Sequence, residues 1–409
     1  MPEFALSQTS GPTSGTSDAT GPSGFGTPTG ALLFSTGGTA NGTSVDDAEF
    51  AVGATDCETS EPGEAFAAGF ADHNVGTTSC QRRDGTTACL KLVAARAALT
   101  FSSTITDGIR YNWDVALKNL KVNSLLFGPN CTTEVATFVA PSSEGATVDV
   151  VFGTISDPQV MIFFGTSQGM GDSDSNASLI MLGFATYDGT TILQSNGCSV
   201  SGHGQAAAQA RHHTASDRCL TRPGTSVQHE LELTAVSGDT VTLTCRDYVF
   251  AGGHTVGVLG VQIPDDYLAW CGIWNTPTST GEQPITSPDF KPEIVLAKTG
   301  RSAIDTFDQT DLASNWGVVS FDDSGNGYSC TFIDEDAADP TDTSCRTSAN
   351  PIELRNSNDD GDHHLVTSAP VMNSRGWTAN FDTVEGTSRP WAVLAIGKKI
   401  LPKARRRMI

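Results

Sequence analysis

The chain predicts an all-β fold of three tandem β-sandwich repeats with jelly-roll-like topology. Three observations predict it. A short apolar run, opened by Pro or Gly and closed by a Thr-containing turn, occurs three times, at Gly30–Gly37, Pro158–Thr166 and Lys291–Gly300. Such a run, bounded by turn residues, reads as a strand buried on both faces. Thr, Ser and Gly are abundant, with 42 Gly in 409 residues, and helix formers are scarce. That is the composition of short strands joined by turns. Cysteines and hairpin patterns then follow each run in the same order, with a period of roughly 130 residues, the size of one domain.

The elements follow in order. Phe4-Ala5-Leu6, Val135–Val139 and Leu268–Trp274 are opening strands, each followed by a Pro/Ser/Thr/Gly turn. After the apolar run comes a polar loop, longest in the first repeat, where it passes Asp46, Asp47 and Cys57 to Gly63. The next strands are Ala65–Phe70, Leu179–Phe184 and Trp316–Phe321. Leu231–Val236 and Thr240–Cys245, joined by Ser237-Gly238-Asp239, form a hairpin by alternation and turn chemistry. Leu99–Phe101 with Ile109–Trp113, and Trp377–Phe381, occupy the same place in the other repeats. Val122–Phe127, Val256–Val261 and Trp391–Ile396 close the repeats. Ala206–Arg211 has the composition of a short helical turn within a loop. The expected units are residues 1–131, 132–267 and 268–397, with a basic tail over 398–409.

The net charge of −22 argues against nucleic-acid and anionic-lipid partners over most of the surface. No early segment has the pattern of a signal peptide. No apolar run approaches the ~20 residues of a membrane helix. The expectation is a soluble protein made in a cytoplasm, with no cofactor.

Few residues point to chemistry. Gly165-Thr166-Ser167-Gln168-Gly169 matches the G-x-S-x-G nucleophile elbow, but a loop composition follows where the elbow needs a helix. Asp172, Asp174 and Asn176 have the spacing that opens a calcium loop. Ala177 and Gly183 stand where an EF-hand needs Gly and Glu, so only a looser calcium site is open there or at Asn358–Asp362. His212-His213 and His363-His364 are adjacent pairs, which a strand points to opposite faces, and they read as surface histidines. Cys80 with Cys89, Cys198 with Cys219, and Cys330 with Cys345 recur in each repeat. They are expected as close pairs or disulfides, the alternative being small buried hydrophobes. The Trp residues fall mostly on predicted strands and read as core. The tail carries Lys398, Lys399, Lys403, Arg405, Arg406 and Arg407, a candidate arm for an acidic partner or a solvated terminus.

The order of Val160–Phe164, then Leu182-Gly183-Phe184, then a polar Cys segment such as Arg83–Leu90, then Val256–Val261, resembles the tandem β-rich repeat proteins of tailed-bacteriophage virions. The resemblance covers nearly the whole chain apart from the tail and brings no catalytic residue with it. It implies a non-enzymatic structural or accessory protein, located in the virion and made in the host cytoplasm. Such a protein decorates or bridges capsid or neck and tail proteins, and is open to oligomerisation in the particle. Three similar lobes can imitate a trimer at a symmetry axis. The alternative is a tail-associated adhesin or lectin-like module for host glycans, with exposed aromatic residues grouped at one sandwich end. A hydrolase would need carboxylates converging in one cleft.

Overall fold

The fold is all-β. The computed structural model describes residues 2–400 apart from 13–14, 116–118, 167, 207–209, 224–226, 249–252, 301–313, 335–337, 339 and 356–361. The first segment holds β1 (Phe4–Ser10), β2 (Gly15–Thr20), β3 (Gly30–Ser35), β4 (Ser44–Asp46), β5 (Ala48–Thr55), β6 (Glu64–Ala71), β7 (Cys80–Gly85), β8 (Leu90–Lys91), β9 (Ala98–Ile105), β10 (Gly108–Val115) and β11 (Lys121–Phe127). The second holds β12 (Thr132–Val139), β13 (Thr147–Val151), β14 (Val160–Gly165), β15 (Ser175–Asn176), β16 (Ser178–Tyr187), β17 (Ile192–Ser201), β18 (Ala210–Ala215), β19 (Leu220–Pro223), β20 (Val227–Ser237), β21 (Thr240–Tyr248) and β22 (Thr255–Gln262). The third holds β23 (Tyr267–Asn275), β24 (Gly281–Ile285), β25 (Lys291–Gly300), β26 (Ser314–Asp322), β27 (Gly327–Asp334), β28 (Thr343–Ser348), β29 (Ile352–Arg355), β30 (Asp362–Val366), β31 (Val371–Met372), β32 (Trp377–Phe381) and β33 (Pro390–Lys398).

Each segment builds one large antiparallel sheet, and the strand orders correspond. They are β1-β11-β3-β5-β6-β7, β12-β22-β14-β16-β17-β18 and β23-β33-β25-β26-β27-β28. Leu125 pairs with Leu6 and Leu32, Leu259 with Val135 and Ile162, and Leu394 with Cys271 and Leu296. These pairings set the three sheets in one common register. Smaller sheets lie outside, ordered β2-β10-β9-β8, β13-β21-β20-β19 and β24-β32-β31, with β29-β30 as a separate pair.

The apolar runs are continuous because both of their faces are buried, which strand alternation divides between two cores. Leu32 and Phe34, Val160, Ile162 and Phe164, and Ile294 and Leu296 all enter one shared core. Ala31 and Leu33 face an outer core under the first small sheet. Met161 and Phe163 do so in the second segment, and Val295 and Ala297 in the third. The large sheets thus turn one face inward together, and each closes a sandwich-like layer on its other face. Contacts run from β6 to β16, from β17 to β23, and from β27 to β5, so the three sheets form a ring.

Two expectations change. The strand equivalent to β16 and β26 is β5, not Ala65–Phe70, which belongs to the next strand, β6. Acidic residues before β5 and the polar stretch around Cys57 hide it, yet all eight of its residues are buried. Small residues (Ala48, Ala51, Gly53, Ala54) make an apolar strand look like loop. Ala210 and Arg211 lie in β18 rather than in a helical turn.

Two glycines mark the same close approach. A Cβ on Gly53 would stand 2.0 Å from the Cys89 carbonyl oxygen, and one on Gly183 would stand 1.7 Å from that of Cys219. No side chain fits where the connecting chain crosses the large sheet so closely.

Candidate functional site

The polar side chains that do most to organise the molecule lie at the seams between the large sheets. Seam contacts recur at equivalent positions. At one end of the ring, the Thr166 hydroxyl, just beyond β14, donates to the Asp84 carboxylate on β7. The Thr36 hydroxyl, just beyond β3, meets that of Thr347 on β28 at 2.7 Å. The chain beyond each threonine then adds a strand to its neighbour. β15 pairs with β7, and β4 pairs with β28. The next loops repeat the pattern: Gln205 N–H donates to Thr78 Oγ1 at 2.8 Å, and Val75 N–H to Thr341 Oγ1 at 3.0 Å. His203 Nδ1 accepts the Cys80 N–H at 3.1 Å, and His73 Nδ1 accepts that of Thr343 at 3.2 Å.

At the other end, a side chain beyond β5, on β16 or on β26 reaches the opening strand of the following sheet. Asp56 Oδ2 accepts the Val135 N–H at 3.3 Å, and Asp322 Oδ2 accepts the Leu6 N–H at 3.2 Å. Thr186 Oγ1 lies 3.6 Å from Cys271 Sγ in the third seam. Opening strands expose backbone N–H groups at a sheet edge, and the Asp56 and Asp322 contacts satisfy two of them inside the ring. Burial raises the Asp56, Asp84 and Asp322 carboxyls above their ordinary value, against the hydrogen bonds each accepts.

At Asp172, Asp174 and Asn176, where the spacing left a looser calcium site open, the residues pair within the chain. Asp172 accepts Arg83 Nε at 2.8 Å, Lys91 Nζ at 2.8 Å and the Thr87 hydroxyl at 2.7 Å. Asp174 Oδ1 accepts the Ala94 N–H at 3.2 Å, and Asn176 pairs with Gln81. Desolvation opposes ionisation of Asp172, but its bonds to Lys91, Thr87 and Arg83 outweigh it and hold the carboxyl below its ordinary value. Two side-chain cations already occupy the charge that a divalent ion would need. Among the described residues, no group of three or more His, Cys, Asp or Glu is placed to hold a metal. Residues 356–361, most of the second acidic loop, lie outside the described residues.

The cysteines are free and buried, all ten of them. Cys80 lies in the shared core and Cys89 in the first outer core, on opposite sides of a sheet. The recurring position is instead Cys89 with Cys219, whose Sγ atoms lie 3.2 and 3.3 Å from the Leu99 and Leu231 carbonyls. Cys198 shares the second outer core with Cys219. Cys330 and Cys345 share the central core as diagonal neighbours, since Cys330 pairs with Thr347 and Cys345 with Phe332. That diagonal spans about 7–8 Å, beyond the usual disulfide reach.

The histidine expectation also changes, since His212, His213 and His364 are buried. β18 is covered on one face by its own sandwich and on the other by the third sheet, so an alternating pair has no solvent face. Lys298 is buried where the other two runs have Phe34 and Phe164, and its side chain fills the space that a Cβ on Gly197 would need. Burial pushes its ammonium down to about 7, with Cys198 opposing the shift.

Of the tail residues, Lys398 ends β33 and pairs with Glu293 at 3.3 Å. Lys399 donates from Nζ to the Asp265 carbonyl at 2.6 Å. Both belong to the ring rather than to an arm. Lys403, Arg405, Arg406 and Arg407 lie outside the described residues, as does Ser167 of the G-x-S-x-G stretch. The described residues after that serine lead into β15 and form no helix. Sequence reasoning missed Asp56, Asp84 and Asp322. The threonine closing the runs was the one available signal for the Thr166–Asp84 and Thr36–Thr347 contacts.

The fold and its seams define an all-β protein whose large sheets are joined by buried polar side chains. No protein-family model matches the chain, and no curated protein matches it either.

Proposed function

We propose that the chain is a non-enzymatic structural or accessory protein of a tailed-phage virion. Three jelly-roll-like β-sandwich repeats close into a single-chain imitation of a trimer. It is made in the host cytoplasm and decorates or bridges capsid or neck and tail proteins by protein–protein contact. The carrying observation is the cyclic recurrence of seam contacts: Asp84–Thr166 answers Thr36–Thr347, and Asp56–Val135 answers Asp322–Leu6. Closed rings of like units are the usual geometry of symmetric assemblies. The glycan-binding reading gains no support from Trp113, Trp274, Trp377 and Trp391, which are buried.

The test is fractionation. The protein should be present in purified particles and remain with either DNA-filled heads or tails when these are separated. Its absence from particles overturns the reading.

A further inference from the structure

Two histidines are buried where the second sandwich meets the first large sheet. His229 on β20 pairs in register with Arg222 on β19 and with Tyr248 on β21, whose ring it meets edge-on. His254, just before β22, stands perpendicular to His229 with ring centres 4.8 Å apart. Both histidines are 2% exposed, and Nε2 of each has no hydrogen-bond partner among the described residues. Arg82 on β7 acts on them from the first sheet, since its charge bears on His254 and on Arg222. Asp247 on β21 acts on His229, and Asp84 on Arg82, in the opposite sense. The fold does not need ionisable groups here. Leu90 pairs with Leu99 in the first segment as Leu220 pairs with Leu231 in the second. With Leu125 matching Leu259, that register sets Leu92, Ala97 and Leu120 where the second segment has Arg222, His229 and His254. All three are buried members of the first outer core.

We propose that His229 and His254 form an acid-sensitive catch: protonating them releases residues 168–176 from β7 and bares that strand edge. His254 adjoins this strap directly. Thr255 N–H donates to the Gln168 carbonyl at 2.7 Å, and Gln168 Nε2 donates to that of Arg82 at 2.9 Å. Further along, Met170 N–H donates to Asp84 Oδ1 at 3.2 Å and Asp172 N–H to the Asp84 carbonyl at 2.9 Å. β15 then covers the β7 edge through Ser175 and Asn176. A proton on either Nε2 makes a buried cation with no acceptor, close to two guanidinium groups. Opening brings water to the rings and moves them away from Arg82. Burial, with the arginine charges adding to it, holds His229 at about 4 and His254 at about 3, against 6.5 for an exposed ring. At pH 4.5, two units below the exposed value, protonation favours the open form by roughly a hundredfold per ring. The bared edge then offers its backbone groups to another strand.

Hydrogen exchange of the full chain tests it, at pH 7.5 and 4.5 with labelling times matched for intrinsic rates. The amides of Met170, Asp172, Ala177 and Thr255 should lose protection at least about tenfold in acid. Those of Leu296 and Leu394 in the third sheet should keep theirs. His254→Leu combined with His229→Gln should hold the strap closed in acid, with protection within about twofold of its value at pH 7.5. Should that variant fail to fold, NMR of the histidine rings in the unaltered protein decides: both rings should gain charge in the same pH step that opens the strap. Acid opening that persists in the folded double variant overturns the proposal, because Asp84, Asp172 or His203 is then the trigger. A strap that stays closed at pH 4.5 also overturns it, as does global unfolding with no earlier loss at the strap, or ring protonation outside the opening step.

Discussion

The Thr166 hydroxyl donates to the buried Asp84 carboxylate and so ties the second large sheet to the first. Asp84 also accepts the Met170 N–H at 3.2 Å, which holds the start of the loop that leads to β15. The bond therefore fixes a side-chain contact and aims the strand that completes the first sheet.

Removing either partner should loosen this seam. Asp84→Asn and Thr166→Val are each expected to destabilise the protein by about 1–3 kcal/mol, because a buried polar group loses its partner. A double-mutant cycle by denaturant unfolding should show coupling of about 0.5–3 kcal/mol. Additive effects would mean that the bond carries no energy of its own.

Gly53→Ala and Gly183→Ala should be among the most damaging small substitutions. Each would put a methyl 2.0 or 1.7 Å from a backbone carbonyl oxygen, which cannot yield as a side-chain end does. Overpacking of this kind costs about 1–3 kcal/mol or more. Gly76→Ala, with nothing within 4 Å of its Cβ, should change stability by less than about 0.5 kcal/mol. Melting temperatures of the three variants check the contrast.

Stability should depend on pH through buried carboxyls, histidines and Lys298, which act in opposite directions. Burial raises Glu49 and Glu64 to about 7, so between about 4.5 and 7 the folded state binds more protons than the unfolded chain. Their contribution is complete below the unfolded value and is lost as pH rises through about 7. Burial lowers His213 and His229 to about 4 and His254 to about 3. Those three stabilise the fold above their unfolded value of about 6.5, and that contribution is lost as pH falls toward the folded values. Lys298, lowered to about 7, adds stability that is lost as pH falls from its ordinary value of 10.5 through 7. The Glu64 contribution is therefore read by difference: from pH 5 to 8, Glu64→Gln should gain stability relative to the parent as pH rises through about 7. A parent-to-variant difference that does not change with pH would contradict it.

Calcium and chelator should leave the melting temperature unchanged, because Arg83 and Lys91 hold Asp172. Asp172→Ala should lower stability by about 1–3 kcal/mol through the stranded, partly buried cations. A calcium-dependent shift in thermal unfolding would restore the metal reading.

Thiol counting should find ten alkylatable cysteines in the unreduced, denatured protein and slow labelling in the folded one. Burial raises the Cys57 and Cys89 thiols well above their ordinary range, which makes them poor nucleophiles. Reductant should not change the melting temperature.

The sequence by itself determined the all-β class, the three apolar runs and the hairpin Leu231–Cys245. Each rests on local periodicity and turn chemistry, which a strand writes into its own residues. The strand at Ala48–Thr55 was lost because alanine and glycine bury well without looking apolar. The places of Asp56, Asp84, Asp322 and Lys298 were decided only by the tertiary structure. Their partners lie in another sheet, tens to hundreds of residues away, and no spacing along one strand encodes which edge closes on which. For the same reason Asp172 left a calcium site open: its spacing to Asp174 and Asn176 is that of a calcium loop, while its neighbours in space are Arg83 and Lys91.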